Sequence, residues 1–213
     1  MESNNQLVLK VEQLKKTQIK KVIDSRISEF ESLGKQSSHE IFKELCFCLL
    51  TANFNAQKSI IIQKEIGDGF LNSPEEILCK KLQAFGHRYP NARANYIVEA
   101  RLYADSIKEI LSKYKEETEA RVWVVDHIKG LSYKESSHFL RNIGYKNLAI
   151  IDFHIVDLLV DNELIERPNS KCLTKKKYLE IESVLKKIAD KSKLNLAELD
   201  LYLWYMETGK ILK

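Results

Sequence analysis

The chain contains 213 residues, of which 44% are hydrophobic and 30% are charged, and its formal net charge at pH 7 is +4. This length is enough for a substantial buried core and predicts one domain or two small ones. No apolar run reaches the roughly 18 residues of a membrane span, which argues against a membrane-spanning helix. The mild basic excess permits nucleic-acid binding without demonstrating it, because clustering of basic residues matters more than their sum.

The four cysteines lie among apolar neighbours, with no CxxC pair and no histidine–cysteine cluster of zinc spacing. We predict that all four are buried free thiols in a reducing compartment, and that the chain holds no metal. They are Cys46, Cys48, Cys79 and Cys172. Because no secretion signal precedes the first helix, we expect a soluble, cytoplasmic protein without membrane contact.

Most of the chain shows helical periodicity, so we predict an all-α protein. Ser38 is the expected N-cap of a helix that continues into an apolar run, and Ser73 is the expected N-cap of a helix with Pro74 at its first position. Short strands at 7–11 and 121–125 are the weaker alternative. Apart from the helix that starts at Pro74, the predicted helices are 6–32, 38–50, 93–114, 118–128, 134–143, 153–161, 174–190 and 196–206.

The segment IKGLSYKESSHFLRNIGYKNLAIIDFH, residues 128–154, carries the strongest functional signal. Gly130 permits a tight turn, and Ser132 and Glu135 have the spacing of a capping box, so a helix begins directly after Ser132. Lys134 then lies in the first helical turn, where backbone N–H groups are unpaired and the helix dipole is positive. Positive potential and desolvation lower the pKa of a lysine, which favours the neutral, nucleophilic amine.

Asp152 is the expected N-cap of the helix FHIVDLLV, and a cap fixes its carboxylate in place. An amine and a carboxylate eighteen positions apart, beside a turn suited to phosphate, predict covalent chemistry on a nucleic acid. Lys129 precedes the turn glycine and is expected to face phosphate or solvent. His154 is expected to be structural or a phosphate contact, because no second metal ligand has suitable spacing.

Four segments in order carry a family resemblance: ELCFCLLTAN at 44–53, FGHRYPNARANYI at 85–97, KESSHFLRNIG at 134–144 and LWYMETGKILK at 203–213. Together they resemble the type-2 8-oxoguanine DNA glycosylase/AP lyase family of the helix-hairpin-helix DNA glycosylase superfamily. The turn KGLS, the lysine that follows it and the segment IDFH match the hairpin and distal aspartate of the lysine-bearing members. Four such matches, spread over most of the chain, make this resemblance specific.

The resemblance implies that Lys134 attacks C1′ of the damaged nucleotide and that Asp152 stabilises positive charge on the sugar. The hairpin at 128–132, with Gly130 and Ser132, would hold a DNA phosphate through backbone N–H groups, and a monovalent cation can bind there. Ser132 departs from the glycine that the superfamily often has at this position. No cofactor is required by this chemistry.

The resemblance also implies that residues distant in sequence from the hairpin recognise the damaged base. Trp204 is the stacking candidate for a flipped base, with a core tryptophan as the alternative. The carboxylate of the terminal residue, Lys213, would accept hydrogen bonds from a guanine edge. Tyr89 or Phe85 would form the opposite stacking face.

Asn53 and Gln57, in the polar loop TANFNAQ, would fill the gap left by the flipped base or contact the opposite strand. Phosphate contacts convey affinity but no lesion identity. The basic residues expected to make them are Arg88, Arg93, Arg101, Lys129, His138, Arg141 and Lys146.

The predicted function is therefore excision of 8-oxoguanine from double-stranded DNA through a lysine Schiff base, followed by β-elimination, in a monomer. We expect two helical subdomains with a DNA-binding cleft between them, one covering 38–150 and the other 1–37 with 151–213. One alternative is another lysine-dependent glycosylase for a different oxidised base, although the four-cysteine iron–sulfur motif typical of endonuclease III relatives is missing. The other is a non-catalytic helix-hairpin-helix module, which would not need both Lys134 and Asp152.

Overall fold

All regular structure is helical within the residues that the computed structural model describes, which are 2–170 and 172–213, with side chains from residue 6 onward. This confirms the all-α prediction. A 3₁₀ turn, Arg101–Tyr103, follows the seventh helix. The α-helices are α1 (Glu2–Leu14), α2 (Ile19–Gly34), α3 (Ser38–Thr51), α4 (Ala56–Ile66), α5 (Gly69–Asn72), α6 (Glu75–Ala84), α7 (Pro90–Ala100), α8 (Ile107–Ser112), α9 (Glu117–His127), α10 (Tyr133–Asn142), α11 (Phe153–Asp161), α12 (Lys175–Lys191) and α13 (Leu196–Thr208).

The N-terminal part of the chain differs from its prediction in two ways. The strand alternative at 7–11 is wrong, because Leu7 and Val11 are both buried on one face of α1. The helix predicted over 6–32 is interrupted at Thr17, whose hydroxyl donates to the Leu14 carbonyl at 2.8 Å and accepts the N–H of the first residue of α2 at 3.2 Å. Such local side-chain bonds compete with helix continuation.

Other element boundaries also shift. The strand alternative at 121–125 is wrong, because these residues lie in α9. The N-cap of α3 is Ser37, which accepts the Glu40 N–H at 3.4 Å, so Ser38 is already helical. The N-cap of α6 is Pro74, one residue after the predicted cap. The helix predicted over 93–114 is divided into α7, the 3₁₀ turn and α8.

The helices form two compact units, Ser32–Ile143 and Met1–Glu31 with Gly144–Lys213, called here the middle unit and the terminal unit. These limits differ from the expected 38 and 150. The segment before α11 belongs to the terminal unit, because the Ala149 N–H donates to the Glu182 carboxylate at 2.9 Å. The segment after α2 belongs to the middle unit, because the Lys108 ammonium donates to two of its backbone carbonyls at 2.7 and 2.8 Å.

The middle unit is built around α3, which contacts α4, α5, α7, α8 and α10. Its apolar side chains are buried all round the helix, as expected of a central helix. A buried polar network also joins α3 to α10. Glu44 accepts the Asn142 amide at 2.6 Å and the Gln63 amide of α4 at 3.0 Å, which satisfies a carboxylate that is only 2% exposed. The C-terminal end of α10 is thereby fixed to the core.

In the terminal unit, α1, α12 and α13 contact one another, and α11 packs on α13. Apolar side chains at helical spacing form its core, including Leu159, Ile181, Leu185, Leu199 and Leu203. In the part of the chain that the structure describes, no helix is long and apolar enough to cross a membrane.

The cysteine prediction is correct only in part. All four thiols are free, and Cys46 and Cys48 are buried in α3. Cys79 is half-buried on α6, where its thiol contacts the Asn91 side-chain oxygen at 2.7 Å, and Cys172 is exposed. Apolar neighbours in sequence do not determine which face of a helix, or which part of a loop, a cysteine occupies.

Candidate active site

The loop between α9 and α10 forms the predicted hairpin. The carbonyl of the buried Ile128 accepts the Leu131 N–H at 3.2 Å, which closes a tight turn. Gly130 has a φ of +92°, and a Cβ placed on it would overlap the ring of Tyr96 on α7. The backbone conformation and the neighbouring ring therefore both require glycine at this position.

Lys134 lies in the first turn of α10, and Ser132 and Glu135 form the predicted capping box. The Lys134 ammonium is 3.6 Å from Glu135 Oε1, and its side chain is 24% exposed. Glu135 Oε2 accepts the Ser132 backbone N–H at 3.2 Å and also the Ser132 hydroxyl. One carboxylate therefore contacts both the candidate nucleophile and the hairpin.

The charge of Glu135 is maintained in spite of its burial. Burial disfavours the charged carboxylate, but the pKa of Glu135 lies below its ordinary value. The Lys134 ammonium and the hydrogen bonds from Ser132 and from backbone N–H groups stabilise the ionised form. Lys134 accordingly faces a carboxylate, not a neutral acid, at neutral pH.

Two backbone N–H groups of the hairpin already donate hydrogen bonds within the protein. The Leu131 N–H donates within the turn, and the Ser132 N–H donates to Glu135. A phosphate that accepted the Ser132 N–H would have to displace this carboxylate.

Lys129 is the exposed lysine of the hairpin, with 58% of its side chain accessible. Its ammonium donates to the Glu99 carboxylate at 3.0 Å and lies 5.4 Å from the centroid of the Tyr96 ring. Both partners belong to α7, so Lys129 is held at the surface against that helix.

Four of the basic residues considered for phosphate binding have structural roles. Arg93 is buried and donates to the Ala52 carbonyl at 2.9 Å, and burial lowers its pKa. Arg101 donates to three backbone carbonyls in and just after α5. His138 and Arg141 are buried within α10.

The segment between α6 and α7 presents the two alternative stacking residues. Phe85 is half-buried at the end of α6, whereas Tyr89 is 41% exposed and lies 5.1 Å from the Arg88 guanidinium. Beneath them, His87 accepts the Tyr89 N–H at 3.1 Å and donates to the Leu50 carbonyl at 3.0 Å. Burial lowers the pKa of His87, which favours the neutral ring that this pair of bonds requires. Tyr89 is thus the more accessible of the two.

The predicted polar loop around Asn53 and Gln57 is shorter than expected. Asn55 accepts the Lys58 N–H at 3.0 Å and caps α4, so Gln57 is helical. Asn53 stays in the loop with a φ of +59°, a left-handed conformation that asparagine tolerates. Both candidate side chains are exposed.

Asp152 is the N-cap of α11, as predicted, and its Oδ1 accepts the Ile155 N–H at 3.0 Å. The backbone before it is held by the Tyr178 hydroxyl, which accepts the Ile151 N–H at 3.3 Å and donates to the Ala149 carbonyl at 2.7 Å. The carboxylate is therefore fixed from both sides along the chain.

Three rings form a row in the terminal unit. The centroids of Phe153 and His154 are 4.1 Å apart, and His154 meets Trp204 edge-on at 5.5 Å. Phe153 is 64% exposed and Trp204 is half-buried, so Trp204 is not a core tryptophan.

A short segment, residues 209–213, follows α13. Gly209, with a φ of +68°, ends the helix, and its N–H donates to the Tyr205 carbonyl at 2.8 Å. The Lys210 N–H donates to the Thr208 hydroxyl at 3.3 Å. Ile211, Leu212 and Lys213 are half-buried.

The structure gathers the candidates into two groups. The middle unit contains Lys134, the hairpin, Asn53, Gln57, Phe85, Arg88 and Tyr89. The terminal unit contains Asp152, His154, Trp204 and Lys213. Among the described residues, no three His, Cys, Asp or Glu side chains are arranged to hold a metal ion.

Two residues at this site have contacts that the sequence analysis missed. Glu135 entered it only as a capping residue, although the lysine beside it could have indicated the ion pair. The packing of Tyr96 under Gly130 joins residues distant in sequence and has no local signal.

Comparison with known proteins gives consistent results. The family model described as 8-oxoguanine DNA glycosylase matches residues 23–194. The 8-oxoguanine DNA glycosylase/AP lyase of Methanocaldococcus jannaschii is 53% identical over 97% of this chain and 99% of its own. That of Korarchaeum cryptofilum is 49% identical over 97% and 98%.

Two solved structures show the same fold. The crystal structure of the Methanocaldococcus jannaschii 8-oxoguanine glycosylase/lyase in complex with a 15mer DNA containing 8-oxoguanine has a TM-score of 0.94 at 52% identity, covering 98% of this chain and 100% of that one. The 8-oxoguanine DNA glycosylase of Thermotoga maritima has a TM-score of 0.91 at 39% identity, covering 99% and 100%.

Proposed function

This chain belongs to the 8-oxoguanine DNA glycosylase family, and we propose that it excises 8-oxoguanine from double-stranded DNA and then cleaves the strand as an AP lyase. The observation that carries the proposal is the placement of Lys134. A partly exposed lysine stands in the first turn after a glycine hairpin, within the matched region. Another oxidised base and a non-catalytic role are the alternatives that the experiment below separates.

The lesion must first leave the duplex, because a protein amine cannot reach C1′ of a stacked nucleotide. Trp204 stacks on the flipped base, Tyr89 or Phe85 covers its other face, and Lys213 contributes to recognition of its Watson–Crick edge. The exposure of Tyr89 favours it over Phe85. Asn53 and Gln57 face the gap or the opposite strand.

The first chemical step is attack by the Lys134 amine on C1′, after its ammonium has given a proton to solvent. The glycosidic bond breaks, and the base leaves with the bonding electrons and takes up a proton. Positive charge develops on the sugar, and the Asp152 carboxylate stabilises it from the fixed start of α11. Ring opening and loss of the amine proton then give a Schiff base between Lys134 and C1′.

The second step cuts the strand. The protonated imine makes the C2′ proton acidic, and its removal expels the 3′ phosphate by β-elimination. Hydrolysis of the imine then frees Lys134. All of these groups come from side chains or water, so the proposed reaction requires no cofactor.

The DNA backbone is held by the hairpin around Gly130 and Ser132, with Lys129, Arg88 and His154 as further phosphate contacts. The hairpin residues 128–132 would hold a monovalent cation, which would supply positive charge near a DNA phosphate. Engagement of the Ser132 N–H by a phosphate would remove one of the hydrogen bonds that Glu135 accepts.

A product assay tests this function. A duplex with one 8-oxoguanine, a matched duplex with guanine and one with thymine glycol are incubated with the protein. We expect free 8-oxoguanine by mass spectrometry and strand cleavage on a denaturing gel from the first duplex alone. Cleavage of the thymine glycol duplex alone would favour another oxidised base, and binding without any product would favour a non-catalytic module.

A further inference from the structure

Positive charge is concentrated around α12. Residues 171–193 contain eight lysines and three acidic residues, a net charge of +5, while the whole chain carries +4. The remainder of the chain therefore carries −1. The basic character of this protein is local and belongs mainly to one segment of the terminal unit.

The two faces of α12 differ sharply. One face packs into the core, through Tyr178, Ile181, Leu185, Ile188 and Ala189. Three exposed lysines, Lys176, Lys187 and Lys191, lie on another face, because their spacing of eleven and four residues brings them into one narrow sector of a helix. We call these three residues the lysine row. Its backbone is held rigidly by the packed face.

The acidic residues of α12 reduce the positive charge around the lysine row but do not cancel it. Glu180 lies in the same sector, but its carboxylate is 3.3 Å from the Lys177 ammonium. Asp190 pairs with Lys186 at 2.8 Å, and Glu182 accepts a backbone N–H. In the described part of the chain, no ion pair involves a member of the lysine row.

The length of the row can be compared with the phosphate spacing of duplex DNA. Fifteen residues of α-helix separate its ends, about 22 Å at 1.5 Å per residue. That length corresponds to about six steps of duplex DNA at 3.4 Å each. We propose that the lysine row binds backbone phosphates of duplex DNA, as a contact surface separate from the hairpin. The inference rests on the proposed function, because DNA is the substrate assigned there.

The test compares two triple variants of the full chain. The first carries Lys176→Gln, Lys187→Gln and Lys191→Gln. The control carries Lys10→Gln, Lys16→Gln and Lys21→Gln, three exposed lysines of the same unit, so both lose the same charge. Glutamine preserves helix propensity, and circular dichroism checks folding. Binding to an undamaged duplex is measured as a function of salt.

We expect the slope of log affinity against log salt to decrease by about 2.7 in the first variant, since each phosphate contact contributes about 0.9. Between about 50 and 200 mM salt, the parent then loses about 40-fold more affinity than this variant. The control keeps the parent slope, and excision at saturating enzyme is unchanged in both. An unchanged slope in the first variant, or an equal decrease in the control, overturns the proposal. Excision by the parent tests the proposed function separately.

Discussion

The Lys134 ammonium lies 3.6 Å from one oxygen of Glu135, whose other oxygen accepts the Ser132 N–H at 3.2 Å. The carboxylate therefore links the first turn of α10 to the hairpin that precedes it. A ligand that accepts the Ser132 N–H in place of Glu135 would change the surroundings of the Lys134 ammonium without contacting Lys134. This contact makes Glu135 more than a helix cap.

The first prediction concerns the pH dependence of stability. Because the pKa of Glu135 is lowered on folding, its contribution is fully present above its ordinary value of 4.5 and is lost as pH falls through the lower folded value. We expect Glu135→Gln to reduce the free energy of unfolding by about 1 kcal/mol at pH 7. The difference from the parent should shrink as the pH falls below 4.5 in urea titrations. Parallel pH curves for the two proteins would contradict the role of this carboxylate.

The second prediction concerns the hairpin glycine. Gly130→Ala adds a methyl group that overlaps Tyr96, at a φ of +92°. We expect a loss of about 2 to 4 kcal/mol in the free energy of unfolding, from backbone strain and overpacking together. Gly86→Ala is the matched control, because Gly86 also has a positive φ, +70°, but no atom lies within 4 Å of the added methyl. Gly86→Ala should reduce the free energy of unfolding by about 1 kcal/mol. Equal losses in the two variants would show that Tyr96 does not constrain the hairpin.

The third prediction separates base recognition from strand cleavage. Stacking of an aromatic ring on one base contributes about 1 to 3 kcal/mol, so Trp204→Ala should slow excision of 8-oxoguanine by about 5- to 160-fold. Cleavage at a preformed abasic site should persist, because no base is present to stack. Trp123→Ala, at the other tryptophan, should leave the ratio of the two rates unchanged. Equal loss of both activities in Trp204→Ala would remove Trp204 from base recognition.

The sequence was most informative where the relevant contacts are local. The turn at Gly130, the capping box of Ser132 and the cap at Asp152 each depend on neighbours within four residues, and all three are present. The family resemblance, which used motifs along most of the chain, is confirmed by the comparisons.

Contacts between distant segments could not be predicted. Arg93 was expected to contact phosphate, but it is buried and donates to the Ala52 carbonyl, 41 residues earlier in the chain. The limits of the two units depend on partners such as Lys108 and Glu182, which no local pattern identifies. α4 was missed because Asn55 reads equally well as a loop residue and as a cap.

The central claim is that Lys134 forms a covalent intermediate with the damaged nucleotide. Borohydride reduces a Schiff base to a stable amine, so the protein and an 8-oxoguanine duplex should give one covalent adduct on a denaturing gel. Lys134→Gln should abolish this adduct, and Lys129→Gln, five residues earlier and within the hairpin, should retain it. An adduct of normal yield in Lys134→Gln would contradict the account.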